Sequence, residues 1–478
     1  MKKAMTEKTI VVAPQDRVPF WQKMAYGSAG TVDILAVWVM VSIAYQVFQM
    51  ELKMSFNQVA LILMSLRLWD GIADPVMGWI SDNTRSRWGR RRPYILVGAI
   101  LSAITYPLIW WFPRELTQGQ TIGWVIGFGI LFYTCFTVWA MPFQSLLMEM
   151  TPDYNERTRT ASVRGIFQTL AGLFNGFCWW LSLLPIFYVN GAESPINGMR
   201  YISLFIAALM LVLGPLPAFF VKERYYESDL SRKQAKIGLF KSLKETLSCK
   251  AFLILCVFTV LFLLGSSIFD SYGRYVGTYY VLGGEWSRSA WFVGLGTITY
   301  TVTSLIMIQV FKNLSERIGK NKCLFISLAL VLFSVSITWW TNNPNYPYMM
   351  LINSLFVGAG YAGLWLMIPS MQVDVVDLDE LNTGERREGS FASIFSWVLK
   401  LSFCLGFMLS GPLLQLTGFH ADLQGQALEK ALTNMRIGYV ALPVIALIIA
   451  AIFLKFFPLN AKRLAEIRAQ LEARRGQV

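Results

Sequence analysis

Apolar runs of about 20 residues or more recur along the chain from Trp21 to Phe457, separated by short polar breaks. A helical run of that length crosses the hydrocarbon of a bilayer. The pattern predicts twelve such helices, over residues 22–49, 56–81, 93–113, 121–149, 160–188, 198–221, 251–282, 288–312, 322–341, 346–374, 389–416 and 433–457. One long polar interruption, 222–250, divides them into two sets of six. The expected organisation is a six-helix bundle over 1–221, a linker over 222–250, a second six-helix bundle over 251–457 and a polar tail over 458–478. Within the linker, residues 238–247 alternate apolar and basic positions with helical spacing, which fits a helix lying on the membrane surface. The run Arg463 to Arg475 has the same amphipathic character.

Composition agrees with a polytopic all-α membrane protein. The 478 residues are 55% hydrophobic and only 15% charged, less charge than a soluble chain of this length carries. The net charge of +13 raises the question of nucleic acid, but the basic residues form no single soluble patch. They fall in alternate breaks: Arg85, Arg87 and Arg90 to Arg92 after the second helix, the linker, Arg317, Lys320 and Lys322, and the tail. The intervening break Asn342 to Tyr348 has no lysine or arginine. The positive-inside rule then puts both termini in the cytoplasm of a multi-pass plasma membrane protein, the inner membrane in a bacterium, with no nucleic-acid partner. The opening stretch through Arg17 is too polar for a cleavable signal peptide. Six cysteines lack CxxC spacing, and there is one histidine, His420. Neither a disulfide frame nor a zinc site is indicated, and no cofactor is expected. Proton traffic, if any, must use carboxylates.

The second helix holds the most informative residues, in Arg67-Leu-Trp-Asp70-Gly-Ile-Ala-Asp74-Pro75. Asp70 and Asp74 are four apart, so both carboxylates leave one face of the helix, with Arg67 one turn earlier. Charges at bilayer depth are costly, and the usual reason for them is an ion or proton pathway that they line. A closed salt-bridge cluster is the bland alternative, but one arginine cannot neutralise two carboxylates. Pro75 also frees the carbonyl of Gly71 from its helical partner. Two carboxylates and a free carbonyl make a hard-oxygen site for Na⁺, or a pair able to hold one proton.

Other ionisable groups lie at depth: Asp33 in the first helix, Arg164 in the fifth, Asp270 and Arg274 in the seventh, Lys400 in the eleventh. Asp270 and Arg274 are one turn apart and positioned to neutralise each other. Lys400 is expected to face Asp70 and Asp74 across the two halves. Glu149 and Asp374, near helix ends, suit capping or gating. The break after the second helix, Ser81 to Arg92, and that after the eighth, Leu314 to Lys322, share a polar start, a glycine and basic residues. Two such repeated halves define the major facilitator architecture, with substrate bound at the midplane between them. A membrane-embedded enzyme would need a nucleophile–base pair or metal-ligand cluster, which the sequence does not offer.

The run Trp69 to Tyr94 strongly resembles the signature of the glycoside–pentoside–hexuronide cation symporters. Tyr26-Gly27, Met141 to Leu146, Asn155 to Arg159 and Glu388 to Lys400 extend the resemblance in order. It implies a major facilitator fold and sugar or glycoside uptake driven by H⁺ or Na⁺, by alternating access in a functional monomer. It implies that Asp70 and Asp74 bind the cation together with Thr137, and that Arg164, Lys400 and Asp33 serve the sugar. Gln144 and Ser396 fall on the same stretches and join Asp270 and Arg274 as candidate substrate residues. The family pattern has asparagine at Ala73, aspartate at Ala140 and tryptophan at Gln144. The first departure removes an oxygen ligand and favours H⁺ over Na⁺. The second makes the pocket relatively more basic and leans toward an anionic sugar, a uronide or sulfosugar. A carrier of an amphipathic lipid is the alternative on the same fold.

Overall fold

The computed structural model describes residues 17–84, 86–151, 154–189, 191–223, 246, 248–383, 388–420, 423–459 and five positions between 463 and 470. The expected surface helix over 238–247 falls, apart from Thr246, outside these residues, as do Arg85 and most of the tail helix. The described residues form twelve long helices: α1 Phe20–Ala44, α2 Phe56–Asn83, α3 Arg92–Leu108, α4 Gln118–Met150, α5 Tyr154–Ser182, α6 Pro195–Leu213, α7 Lys250–Tyr275, α8 Trp286–Ile318, α9 Lys320–Thr341, α10 Met350–Thr383, α11 Glu388–Gln415 and α12 Gly425–Lys455. Nine are long and apolar enough to cross a membrane, and α3 is a shorter apolar helix. The other two, α2 and α5, carry charges within their length.

Several helix ends differ from expectation. α10 runs to Thr383 rather than 374, and α12 begins at Gly425 rather than 433. In both places the added turns are polar, and hydropathy detects only the apolar span. Capping signals mark other starts. Ser55 and Gln58 form a capping box on α2, and Thr117 and Gln120 form another on α4.

Packing repeats between the halves. In the first, α1 lies on α5 and α6, α3 on α4 and α6, and α2 on α4. In the second, α7 lies on α11 and α12, α9 on α10 and α12, and α8 on α10. Adding six to each helix number converts one set into the other. The seam obeys the same rule, with α2 against α11 and α5 against α8. Even the backbone irregularities match. α1 continues as a π-helical segment, Tyr45–Glu51, and α7 continues as another, Val276–Val281. A π turn inside a helix is uncommon and gathers at functional places.

The basic breaks lie at one end of the molecule. There Gly89 adopts φ +100°, a region open to glycine, and a Cβ at this position would collide with the Glu223 carboxylate. That carboxylate accepts the backbone N–H groups of Arg90, Arg91 and Arg92 at 2.8–2.9 Å, satisfying donors at the start of α3. Glu149, at the end of α4, accepts from Arg90 and Arg91 at 2.6–2.9 Å. In the second half Gly319 has φ +87°, and Lys320 pairs with Asp374 of α10 at 2.6 Å. At the opposite end the halves touch. Asn57 meets Gln415, Ser287 meets Glu193, and Trp180 and Trp291 pack at 5.6 Å between centroids.

Candidate functional site

A cluster of buried charges gathers where α2 meets α11. Asp70 and Asp74 are 5% and 9% exposed. Their one-turn spacing turns both toward α11, where the Lys400 ammonium contacts Asp74 Oδ2 and lies 3.2 Å from Asp70 Oδ2. The main-chain oxygen of Asp70 is 3.5 Å from the same nitrogen. Thr137 of α4 donates to Asp74 Oδ1 at 3.2 Å. Arg67 sits 3.6 Å from Asp70 Oδ2 and stacks over the Trp38 ring at 5.5 Å. Two anions and two cations thus share one buried place, so the cluster is balanced as it stands.

The carbonyl of Gly71, expected to join this site, accepts no hydrogen bond from the cluster among the described residues; the carbonyl at the ammonium is that of Asp70. Ser396 is exposed one turn before Lys400 on α11. Gln144 is exposed on α4. Its neighbour Phe143 is the ring that matters, because Arg164 stacks over it at 5.0 Å.

A second cluster joins α1 and α5. Arg164 pairs with Asp33 at 2.6 Å, and Gln168 donates to the same carboxylate oxygen at 2.9 Å. Arg164 also donates to the Tyr26 hydroxyl at 3.3 Å. Tyr26 is fully buried and stacks on Phe143 at 4.7 Å. Sequence reasoning found Asp33 and Arg164 but not Gln168. Its signal was available: one turn beyond Arg164, it lies on the same face of α5.

Asp270 and Arg274 attract each other across one helical turn but do not close into a contact pair. No ion pair joins them among the described residues. Arg274 reaches across the seam, donating to the Ser42 carbonyl of α1 and, at 3.4 Å, to Gln46 in the π-helical segment that continues α1. Both line a separate cavity between the halves. One-turn spacing permits pairing but does not compel it, and an arginine that finds a carbonyl on a neighbouring helix is satisfied there. Glu149 and Asp374 bind basic residues at the helix ends, within each half.

Twelve long helices among the described residues, in two pseudo-symmetric halves with charges held between them, make the arrangement of a membrane carrier of the alternating-access kind. The chain belongs to the MFS/sugar transport protein family, whose model matches residues 26–461. Among curated relatives, it is 28% identical to an uncharacterized symporter of Synechocystis, over 86% of this chain and 89% of that one. It is 23% identical to a glucuronide carrier protein homolog of Escherichia coli, over 87% of each chain. It is 24% identical to the isoprimeverose transporter of Lactiplantibacillus pentosus, over 88% of this chain and 84% of that one. Among solved structures, a bacterial homolog of the lysosomal transporter Spinster superposes with a TM-score of 0.66 at 14% identity, covering 91% of this chain and 97% of its own. The resemblance to the glycoside–pentoside–hexuronide cation symporters therefore stands, and the enzyme alternative falls away because the family is one of transporters.

Proposed function

We propose that the protein imports a neutral sugar or glycoside with a coupling cation, as a monomer in the cell membrane with both termini and the basic end in the cytoplasm. One observation carries the mechanism. Lys400 belongs to the second half, and the two carboxylates it neutralises belong to the first. A cation that occupies Asp70 and Asp74 takes over the charge balance and releases the ammonium. The tie between the halves loosens, and the equilibrium between cleft-in and cleft-out states shifts. Asp33, Arg164 and Gln168, already ordered by Tyr26 and Phe143, offer a carboxylate, a guanidinium and an amide to sugar hydroxyls.

The pairing pattern favours a neutral sugar over the anionic one that the more basic pocket suggested. Arg164 is engaged by Asp33, and Lys400 by Asp70 and Asp74, so neither cation is in surplus. H⁺ suits the site better than Na⁺. Ala73 supplies no ligand oxygen, and a proton needs only one carboxylate where Na⁺ needs most of a hydration shell replaced. The test is sugar uptake into proteoliposomes with an imposed pH gradient and no Na⁺ gradient, then the reverse. Accumulation driven by pH alone supports H⁺. Accumulation driven by Na⁺ alone assigns Na⁺ to Asp70 and Asp74, and accumulation under neither gradient ends the symport reading.

A further inference from the structure

The exchange of Lys400 for a coupling cation gives no part to Arg67, the other cation of the cluster. Arg67 is only 8% exposed, yet it donates no hydrogen bond among the described residues, and its Nε has no partner. Its Nη1 stops 3.6 Å from Asp70 Oδ2, beyond hydrogen-bond length. A guanidinium fits a carboxylate with two parallel N–H donors, and a buried pair gains most from that grip. Arg67 and Asp70, one turn apart on α2, do not take it.

The Trp38 ring accounts for the difference. The guanidinium carbon of Arg67 lies 5.5 Å from the centre of that ring. Cation–π attraction reaches this far, is best with tryptophan, and grows as water is excluded. The ring is itself held from the other half. Phe403 of α11 meets it edge to face at 5.4 Å, with 78° between the planes. Phe403 comes three residues after Lys400, on the same side of α11. Trp38 lies outside every stretch that carries the family resemblance. One ring therefore touches the unused cation of the first half and the helix that carries the working cation of the second. This matters for what an incoming cation must displace. Lys400 contacts Asp74 and lies 3.2 Å from Asp70 Oδ2. With Arg67 held back, one resident cation stands in the way. With Arg67 closed on Asp70, there are two.

We propose that Trp38 is a positioning residue for the cation site: its ring holds the Arg67 guanidinium short of Asp70 and so keeps that carboxylate available to the coupling cation. The inference rests on the reading of Asp70 and Asp74 as the coupling site and adds a residue that governs it without touching the cation.

The test uses the full-length protein in proteoliposomes, with radiolabelled xylose, isoprimeverose, lactose and glucuronate as sugar probes and H⁺ or Na⁺ as the varied cation. Trp38→Leu is expected to raise the cation concentration for half-maximal uptake about tenfold, the size of one desolvated cation–π contact. The sugar concentration for half-maximal exchange at saturating cation should stay as in the parent. Trp38→Phe, which keeps a ring, should restore most of the cation response. In an Arg67→Gln background, Trp38→Leu should bring no further rise, because there is no guanidinium left to hold. A structure of Trp38→Leu should show Arg67 hydrogen-bonded to Asp70. An unchanged cation requirement in Trp38→Leu overturns the proposal, and so does an equal rise in the Arg67→Gln background. A parallel rise in the cation and sugar requirements with a lowered unfolding midpoint assigns Trp38 to packing alone and overturns it too. If the parent protein moves no probe under either gradient, the carrier reading fails, and the Arg67–Asp70 distance in Trp38→Leu still decides whether the ring holds the guanidinium back.

Discussion

Replacing Lys400 by alanine should expose an asymmetry between its two carboxylate partners. At an effective dielectric constant of about 20, Lys400 and Asp70 at 3.2 Å attract with about 5 kcal/mol. Arg67 at 3.6 Å from the same oxygen contributes nearly as much, about 4.6 kcal/mol, and it stays in place in the variant. Asp70 therefore keeps a counter-charge. Asp74 does not, because only the Thr137 hydroxyl at 3.2 Å remains to it. The loss is that of one buried carboxylate left uncompensated, about 3 kcal/mol at the lower end of the range for broken buried pairs. The lower end applies because Lys400 is itself 23% exposed. The assay is thermal unfolding in detergent of Lys400→Ala and of two double variants that add Asp74→Asn or Asp70→Asn. Asp74→Asn should recover most of the lost stability and Asp70→Asn little of it. Equal rescue by both, or rescue by Asp70→Asn alone, would refute the division of labour between Arg67 and Lys400.

Two further outcomes follow from the geometry. Arg164→Ala leaves Asp33 with only the Gln168 amide, so sugar binding measured by titration should weaken by tenfold or more, while Gln168→Ala should have the smaller effect. Gly89→Ala forces a left-handed backbone on alanine and drives its methyl into the Glu223 carboxylate, costing about 1–3 kcal/mol in strain and cap disruption, readable as a lowered unfolding midpoint with binding affinity unchanged.

The sequence carries the gross fold because the bilayer imposes a length and a polarity on each crossing, and those are local properties. It also carries Asp70, Asp74 and Lys400, whose depth alone makes them conspicuous. What it conceals is which neighbour each charge chooses. Asp270 and Arg274 are a helical turn apart, yet Arg274 bonds to a carbonyl of α1, more than two hundred positions away in the chain. No spacing rule reaches that far. Gln168 is less conspicuous than the charges, because an uncharged amide stands out only once the guanidinium one turn before it has been singled out. Helix ends such as Thr383 and Gly425 escape because their last turns leave the hydrocarbon.

The π-helical ends of α1 and α7 bear on how such a molecule can change over time. A π turn can be regarded as an α-helix with one residue inserted, and the chain holds such a turn at the same place in both halves. Deleting a single residue from either segment would restore ordinary winding. It would also remove the wide turn that the inserted residue forms, and with it the present placing of the residues at its start. Tyr45 and Tyr275, which meet edge to face at 6.0 Å across the seam, sit at the two junctions. Insertions and deletions are thus restricted here far more than their position beside connecting loops would suggest. In laboratory evolution, length variants should survive in the breaks between helices and be purged from Tyr45–Glu51 and Val276–Val281.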